Sequence, residues 1–177
     1  MRKVAKTAIG LAILLVMALV LMAGAALAFK NHPQGFRGLK WGDPPSGNME
    51  LLQQANEWLS LYTMRDDQLK LDGVNLYMGI YSFYTPLDAD KKFMNVSLYF
   101  QGERAYELLK TICEERFGDA DRGGLGLILW RDYRGIVELD YGVLMKKGTL
   151  TLASHKIWTK YLDQKAKTKS KEAEGDW

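Results

Sequence analysis

The sequence predicts an α+β domain in which helices pack on one face of an antiparallel β-sheet. Two observations predict it. After Leu61, apolar residues recur at every second position over several short segments, which is the period of a β-strand. Three such segments follow one another without a crossover helix, so short turns must connect antiparallel neighbours. The order of elements also predicts a possible pseudo-repeat of one helix and three strands, followed by a last helix.

Residues 1–28 have the pattern of a secretory signal peptide. Three cations stand within the first six residues, and an uncharged apolar run follows and ends in Ala26-Leu27-Ala28, a small-x-small cleavage sequence. An uncleaved membrane anchor is the alternative, because the run is as long as the roughly 20 residues that span a bilayer. We therefore expect an exported protein of the periplasm or cell envelope, held at the inner membrane if the leader stays attached.

The charge balance does not support a basic footprint for nucleic acid. The leader carries three of the 24 Lys and Arg residues and none of the 21 acidic residues, so the remainder of the chain is neutral. Residues 165–177 form a Lys-rich tail interleaved with acids, for which we expect a solvated and disordered end. The expected domain therefore spans residues 46–164.

Residues 29–45 predict an opening segment that packs on this domain. Phe36, Leu39 and Trp41 are its apolar residues, and the cations between them can stay in water. Glycines beside the aromatic residues permit a close approach of the backbone. Pro44-Pro45 then stiffen the exit, so the segment reads as a structural clasp rather than a binding site.

The first half of the domain predicts one helix and three strands. The helix is expected over about Met49–Leu59, with Leu52, Ala55, Trp58 and Leu59 on its buried side. Three strands are expected after it, near residues 61–65, 74–84 and 93–100.

The second half begins with a helix over about Glu103–Phe117, which Gly118 ends. Its stripe contains Cys113, the only cysteine, for which we expect a buried and unreactive thiol. Strands are expected near residues 125–130, 135–143 and 148–154. A last helix from Ser154 then presents its apolar side to the sheet, with Ile157, Trp158, Tyr161 and Leu162 as the expected contacts.

The aromatic residues of two central strands predict a binding surface. Alternation divides residues 74–84 into an aliphatic side and an aromatic side, and the strand over residues 93–100 divides in the same way. An exposed aromatic patch of a few hundred Å² usually marks a ligand or partner. The alternative is that the opening segment or the last helix covers this side. The candidate binding residues are Tyr77, Tyr81, Phe83, Phe93 and Tyr99.

The sequence predicts no catalytic residue, no metal site and no cofactor. Neither histidine lies in a metal-binding spacing, and the glycine-rich stretch at residues 123–126 lacks the Lys-Ser/Thr of a phosphate loop. We therefore expect a non-enzymatic domain that binds a protein, a peptide or a small apolar ligand. Two alternatives stay open: a small hydrolase using Asp66, Asp67 and Asp140, and a self-associating structural protein, hence a possible homo-oligomer.

Five pieces of the chain resemble small exported bacterial proteins of uncharacterised function. They are FRGLKWG, RDDQLKLDGVNLYMGIYSFY, RFGDADR, ILWRDYRGIVELDYG and GTLTLAS. The resemblance covers most of the chain after the leader and implies a leader followed by one α+β domain. It implies no catalytic residues.

Overall fold

The computed structural model describes residues 31–65, 69–87, 89–124 and 126–175, with side chains to Ser170 except that of Arg122. In chain order the described elements are β1 (Gly35–Phe36), β2 (Leu39–Lys40), β3 (Met49–Asn56), β4 (Leu59–Met64), β5 (Lys70–Leu71), β6 (Val74–Tyr84), β7 (Lys92–Gln101), α1 (Glu103–Phe117), β8 (Asp121–Arg122), β9 (Ile128–Arg131), β10 (Gly135–Gly142), β11 (Lys147–Ser154) and α2 (His155–Gly175).

The main sheet runs in the order β3-β4-β6-β7-β11-β10-β9-β8, and neighbouring strands in this order are antiparallel. The short strand β5 pairs with the start of β6, outside this order. Strands β6 and β7 are the longest and lie at the centre, so they supply much of the core. The fold class predicted from the sequence, α+β with helices packed against an antiparallel sheet, is confirmed.

Each helix contributes to its own part of the core. Leu109, Cys113 and Phe117 of α1 are buried in the larger cluster, with side chains from most strands of the sheet. Tyr161 of α2 belongs to a second cluster with Tyr84 and Met94, at the end of the sheet where β6 stops and β7 begins. Helix α2 therefore seals one end of the sheet, and α1 seals the middle.

The predicted helix over Met49–Leu59 is wrong, because this stretch forms strand β3 and the turn that follows it. Its residues favour a helix intrinsically, but pairing with β4 overrides that weak preference. Asn56 builds the turn by accepting a hydrogen bond from the N–H of Trp58 to its side chain at 2.9 Å. Because β3 is an edge strand, Leu52 and Ala55 are exposed rather than buried. The first half of the domain therefore does not begin with a helix.

The opening segment forms a small hairpin, β1 with β2, and then joins the main sheet. The N–H of Gly42 donates to the carbonyl of Phe93 at 2.9 Å, and the N–H of Phe93 donates to the carbonyl of Asp43 at 2.8 Å. These two backbone bonds fix the segment to the first residues of β7. From residue 31 onward, the opening segment therefore lies against the sheet.

Helix α2 begins one residue after the expected start and continues to Gly175, beyond the predicted domain end at residue 164. Tyr161 is buried and Ile157 and Trp158 are half-buried, as the sequence predicts, but Leu162 is exposed. Within the described ranges, no helix has the length and apolar character needed to span a bilayer. The leader lies outside those ranges.

Candidate functional site

The structure separates the five aromatic residues that the sequence places on one surface. Tyr81, Phe83 and Phe93 are wholly buried in the larger core cluster, whereas Tyr77 is 48% exposed and Tyr99 is half-buried. The prediction of a single aromatic surface is therefore wrong. Buried rings at three of the five positions act in packing, because they have no path to a ligand.

Two irregularities in the pairing of β6 with β7 explain the error. The register shifts between Leu76 and Met78, and again between Ser82 and Phe83. An extra residue in one strand moves all later side chains to the opposite face, so strict alternation cannot be followed across it. Leu76 and Tyr81 consequently share one core cluster although their spacing places them on opposite sides.

The opening segment covers two of the three buried rings, those of Tyr81 and Phe93, as the alternative interpretation of the sequence expects; the ring of Tyr62 on β4 packs on the third, Phe83, at 5.0 Å between centroids. The ring of Phe36 lies 6.2 Å from that of Tyr81, and the ring of Trp41 lies 4.8 Å from that of Phe93, between centroids. The indole N–H of Trp41 donates to the carbonyl of Pro33 at 2.6 Å, which fixes the ring's orientation. Burial raises the pKa of the Tyr81 hydroxyl, and the charge of Arg37 opposes that rise.

The other side of the same two strands combines tyrosines with hydroxyl groups, away from the end where Tyr84 and Met94 pack with α2. The rings of Tyr77 and Tyr99 are 6.1 Å apart. Ser97 on β7 shares a hydrogen bond of 3.2 Å with Thr151 on β11. Two partly exposed tyrosines beside hydroxyl groups form a much smaller aromatic surface than the sequence predicts.

The carboxylates proposed for a hydrolase do not form a site in the described part of the chain. Asp66 and Asp67 lie outside the described residues, and Asp140 is exposed on β10. Among the described residues, no group of three His, Cys, Asp or Glu side chains is placed to hold a metal ion.

The structure instead contains an apolar cavity of about 470 Å³ between the opening segment, α1 and the sheet. Volumes of a few hundred Å³ are typical of small-molecule sites. The walls combine the aromatic ring of Phe36 with aliphatic side chains from three elements. Those aliphatic residues are Leu71 of β5, Ile112 of α1, and Leu150 and Leu152 of β11.

Four charged or polar side chains also line the apolar cavity: Asn31, Arg37, Asp72 and Arg116. Arg37 and Arg116 both line it, and Arg37 donates from Nη2 to the carbonyl of Lys70 at 2.6 Å. Asn31 donates from Nδ2 to the carbonyl of Arg116 at 3.3 Å, which ties the opening segment to the end of α1. Asp72 is the acidic residue among the lining side chains. The two guanidinium groups therefore outnumber the one carboxylate.

Cys113 also lines the apolar cavity, with its thiol among apolar neighbours. The side chain is buried, as predicted, and burial raises the pKa of the thiol to about 12. A thiol that keeps its proton at neutral pH is a poor nucleophile. The cysteine thus contributes to the wall rather than to chemistry.

Sequence reasoning missed this cavity because its wall comes from four distant parts of the chain. Ile112 and Cys113 lie on the predicted stripe of the helix, which was the one available signal. Nothing in the spacing of Arg37 and Arg116 indicates that they meet.

No protein-family model, no curated protein and no solved structure matches this chain. The fold and the geometry of the described residues therefore carry the functional argument alone.

Proposed function

We propose that this chain is an exported, non-enzymatic domain that binds a small apolar ligand with an acidic group in the apolar cavity. The observation that carries the proposal is the cavity itself: about 470 Å³ of space with mainly apolar walls and two arginines among its lining residues. A small apolar ligand is among the ligands that the sequence predicts. The proposed binding site, however, is the apolar cavity and not the aromatic face of the strands.

The walls support an apolar ligand body. Ile112, Leu150 and Leu152 offer aliphatic surface, and each buried CH₂ group of a ligand contributes about 0.8 kcal/mol. The volume suits a molecule of modest size rather than a folded partner.

The arginines support an acidic group on that ligand. A guanidinium forms charge-assisted hydrogen bonds with a carboxylate or a sulfonate, and these bonds are stronger than neutral ones. Arg116 is exposed at the end of α1, so its head group can turn towards a ligand without unfolding the helix. Asp72 opposes one of the two positive charges and leaves a net attraction for an anion.

The leader supports the exported location. A mature chain that begins at Phe29 in protein recovered from the cell envelope is the expected result of an intact mass measurement. A chain that still begins at Met1 would instead indicate the anchor.

The test uses 8-anilinonaphthalene-1-sulfonate, a fluorescent apolar molecule with a sulfonate group. We expect saturable binding together with a raised thermal midpoint, because a ligand that binds only the folded state stabilises it. Ile112→Phe fills part of the cavity and should weaken this binding at least tenfold.

Leu108→Phe is the matched control, since it enlarges an exposed side chain of the same helix. It should leave the binding unchanged. Arg116→Gln, a surface change that does not threaten folding, should weaken the binding severalfold. Equal effects of the two phenylalanine variants, or binding that lowers the thermal midpoint, would contradict the proposal.

A further inference from the structure

A second depression lies at the end of the sheet, where four segments meet. We call it the basic groove; it has a volume of about 800 Å³ and is lined from the opening segment, the β6–β7 connection, the turn between β9 and β10, and the start of α2. The opening segment contributes to both sites: Asn31, Pro33 and Phe36 line the apolar cavity, whereas His32, Gln34 and Trp41 line the groove.

Positive charge is concentrated in this groove. Lys92, Arg134, Lys156 and Lys160 line it, and among the described residues no Asp or Glu does. In a chain that is neutral after its leader, four cations around one depression are a local excess. Like charges gathered around one depression repel one another, and a bound anion relieves that repulsion.

Two acidic residues near the groove in sequence, Asp132 and Asp43, are already engaged. The carboxylate of Asp132 accepts hydrogen bonds from the N–H groups of Arg134 and Gly135 at 2.8 and 2.9 Å, and pairs with the Arg134 guanidinium at 2.9 Å. The carboxylate of Asp43 accepts from the N–H of Lys40 at 2.8 Å.

The three lysines are not neutralised in this way. Within the described part of the chain, no ion pair involves Lys92, Lys156 or Lys160. These ammonium groups are therefore available to a ligand.

The walls of the groove indicate that its ligand is larger than a single ion. Trp41, Tyr84 and Tyr133 line it, and Tyr133 is 78% exposed with the guanidinium of Arg134 5.2 Å from its ring centroid. The first turn of α2 also lies here, and a helix start favours negative charge. This helix start only adds to the attraction of the lysines.

We infer that the basic groove binds a phosphate monoester attached to an organic body. A phosphate monoester carries close to two negative charges at neutral pH and several acceptor oxygens. Three unpaired lysines match such a group better than they match a single carboxylate. Both a soluble sugar phosphate and a lipid head group carry this chemistry.

The test is calorimetric titration of the full domain with glucose 6-phosphate, with inorganic phosphate, and with phosphatidylcholine vesicles with and without phosphatidic acid. Lys156→Gln/Lys160→Gln removes two groove cations that are exposed, so the fold should survive. The matched control is Lys167→Gln/Lys169→Gln, which removes the same charge from exposed positions further along α2.

We expect glucose 6-phosphate or the phosphatidic acid vesicles to bind, and the groove variant to weaken that binding at least tenfold while the control changes it less than twofold. Binding of glucose 6-phosphate identifies a soluble ligand, and binding of the vesicles alone identifies a lipid head group. Inorganic phosphate should bind more weakly than either, because it lacks the organic body. Absence of binding to every probe, or equal weakening by both variants, would overturn the inference.

Discussion

The two sides of strands β6 and β7 differ in what covers them, although both carry aromatic rings. On one side, Tyr81 and Phe93 lie beneath the opening segment and Phe83 lies beneath Tyr62 of β4, so that all three are inaccessible to solvent. On the other side, Tyr77 and Tyr99 stand among serine and threonine residues and stay partly exposed. An aromatic residue in a strand is therefore not a sign of a binding surface until the chain that covers it is known.

The largest loss of stability is expected when an aromatic ring is removed from the buried side of β6 and β7. Phe93→Ala should lower the free energy of unfolding by about 3–5 kcal/mol, the range for deleting a large buried aromatic side chain. Urea unfolding followed by circular dichroism measures it. An unchanged midpoint would mean that Phe93 is not part of the core.

The second prediction concerns Trp41, the residue of the opening segment that covers Phe93. Trp41→Ala should lower the free energy of unfolding by about 3 kcal/mol, at the low end of that range because the ring is only half-buried. The same denaturant measurement applies. Lys40→Ala, an exposed neighbour, is the control and should change stability by less than about 0.5 kcal/mol. A variant that keeps its stability but loses a binding activity would show that Trp41 acts as a site residue rather than a clasp.

Cys113 tests how tightly the sealed side excludes water. The folded thiol has a pKa of about 12, whereas the thiol of the unfolded chain has a pKa near 9. Between these two pH values the folded thiol keeps its proton and the unfolded thiol loses it. Because the folded state then binds more protons, stability should fall as pH rises above 9, by up to about 1.4 kcal/mol per pH unit. Cys113→Ala should lack this extra slope, and the difference between the two proteins isolates the thiol from other groups that titrate there.

The same thiol has a kinetic readout. Labelling by a thiol reagent at pH 8 should be slower in the native protein than in urea by on the order of a thousandfold, because a three-unit higher pKa reduces the thiolate fraction by that factor. Equal rates in the two states would show that the side chain is open to solvent.

The smallest effect is expected on the open side. Tyr77→Ser should change the free energy of unfolding by less than about 0.5–1 kcal/mol, since the ring is half exposed and loses one ring contact, that with Tyr99. If Tyr77→Ser lowered the free energy of unfolding as much as Phe93→Ala does, the two sides of the strands would contribute equally to the core, contrary to the prediction.

Elements with strong local signals could be predicted from the sequence. Both bounds of β6 and both bounds of α1 agree with the prediction. Asp72 and Gly73 precede β6 with φ of 45° and 88°, a combination that suits a tight hairpin turn. Gly118 follows α1 with φ of 85°, which residues with a Cβ resist.

The rest depends on contacts between distant residues. Strand β3 has helix-forming residues and is a strand only because β4 lies beside it. The alternation of residue types in β6 and β7 does not reveal where the bulges lie. The burial of Tyr81 therefore could not be predicted from its position in the strand. The apolar cavity and the basic groove each need at least three separate segments to meet.

The attachment of the opening segment has a consequence for the order of folding. Asn31 bonds to the carbonyl of Arg116, 85 residues later, and Trp41 packs on Phe93. The opening segment, which is synthesised first, therefore cannot dock until Phe93 has been made, and its contact with α1 forms only once Arg116 follows. Contacts between residues so far apart form slowly, because the long loop between them must first lose conformational entropy. Until then the rings of β6 lie uncovered, so a nascent chain released before Phe93 exposes part of the surface that the finished protein hides.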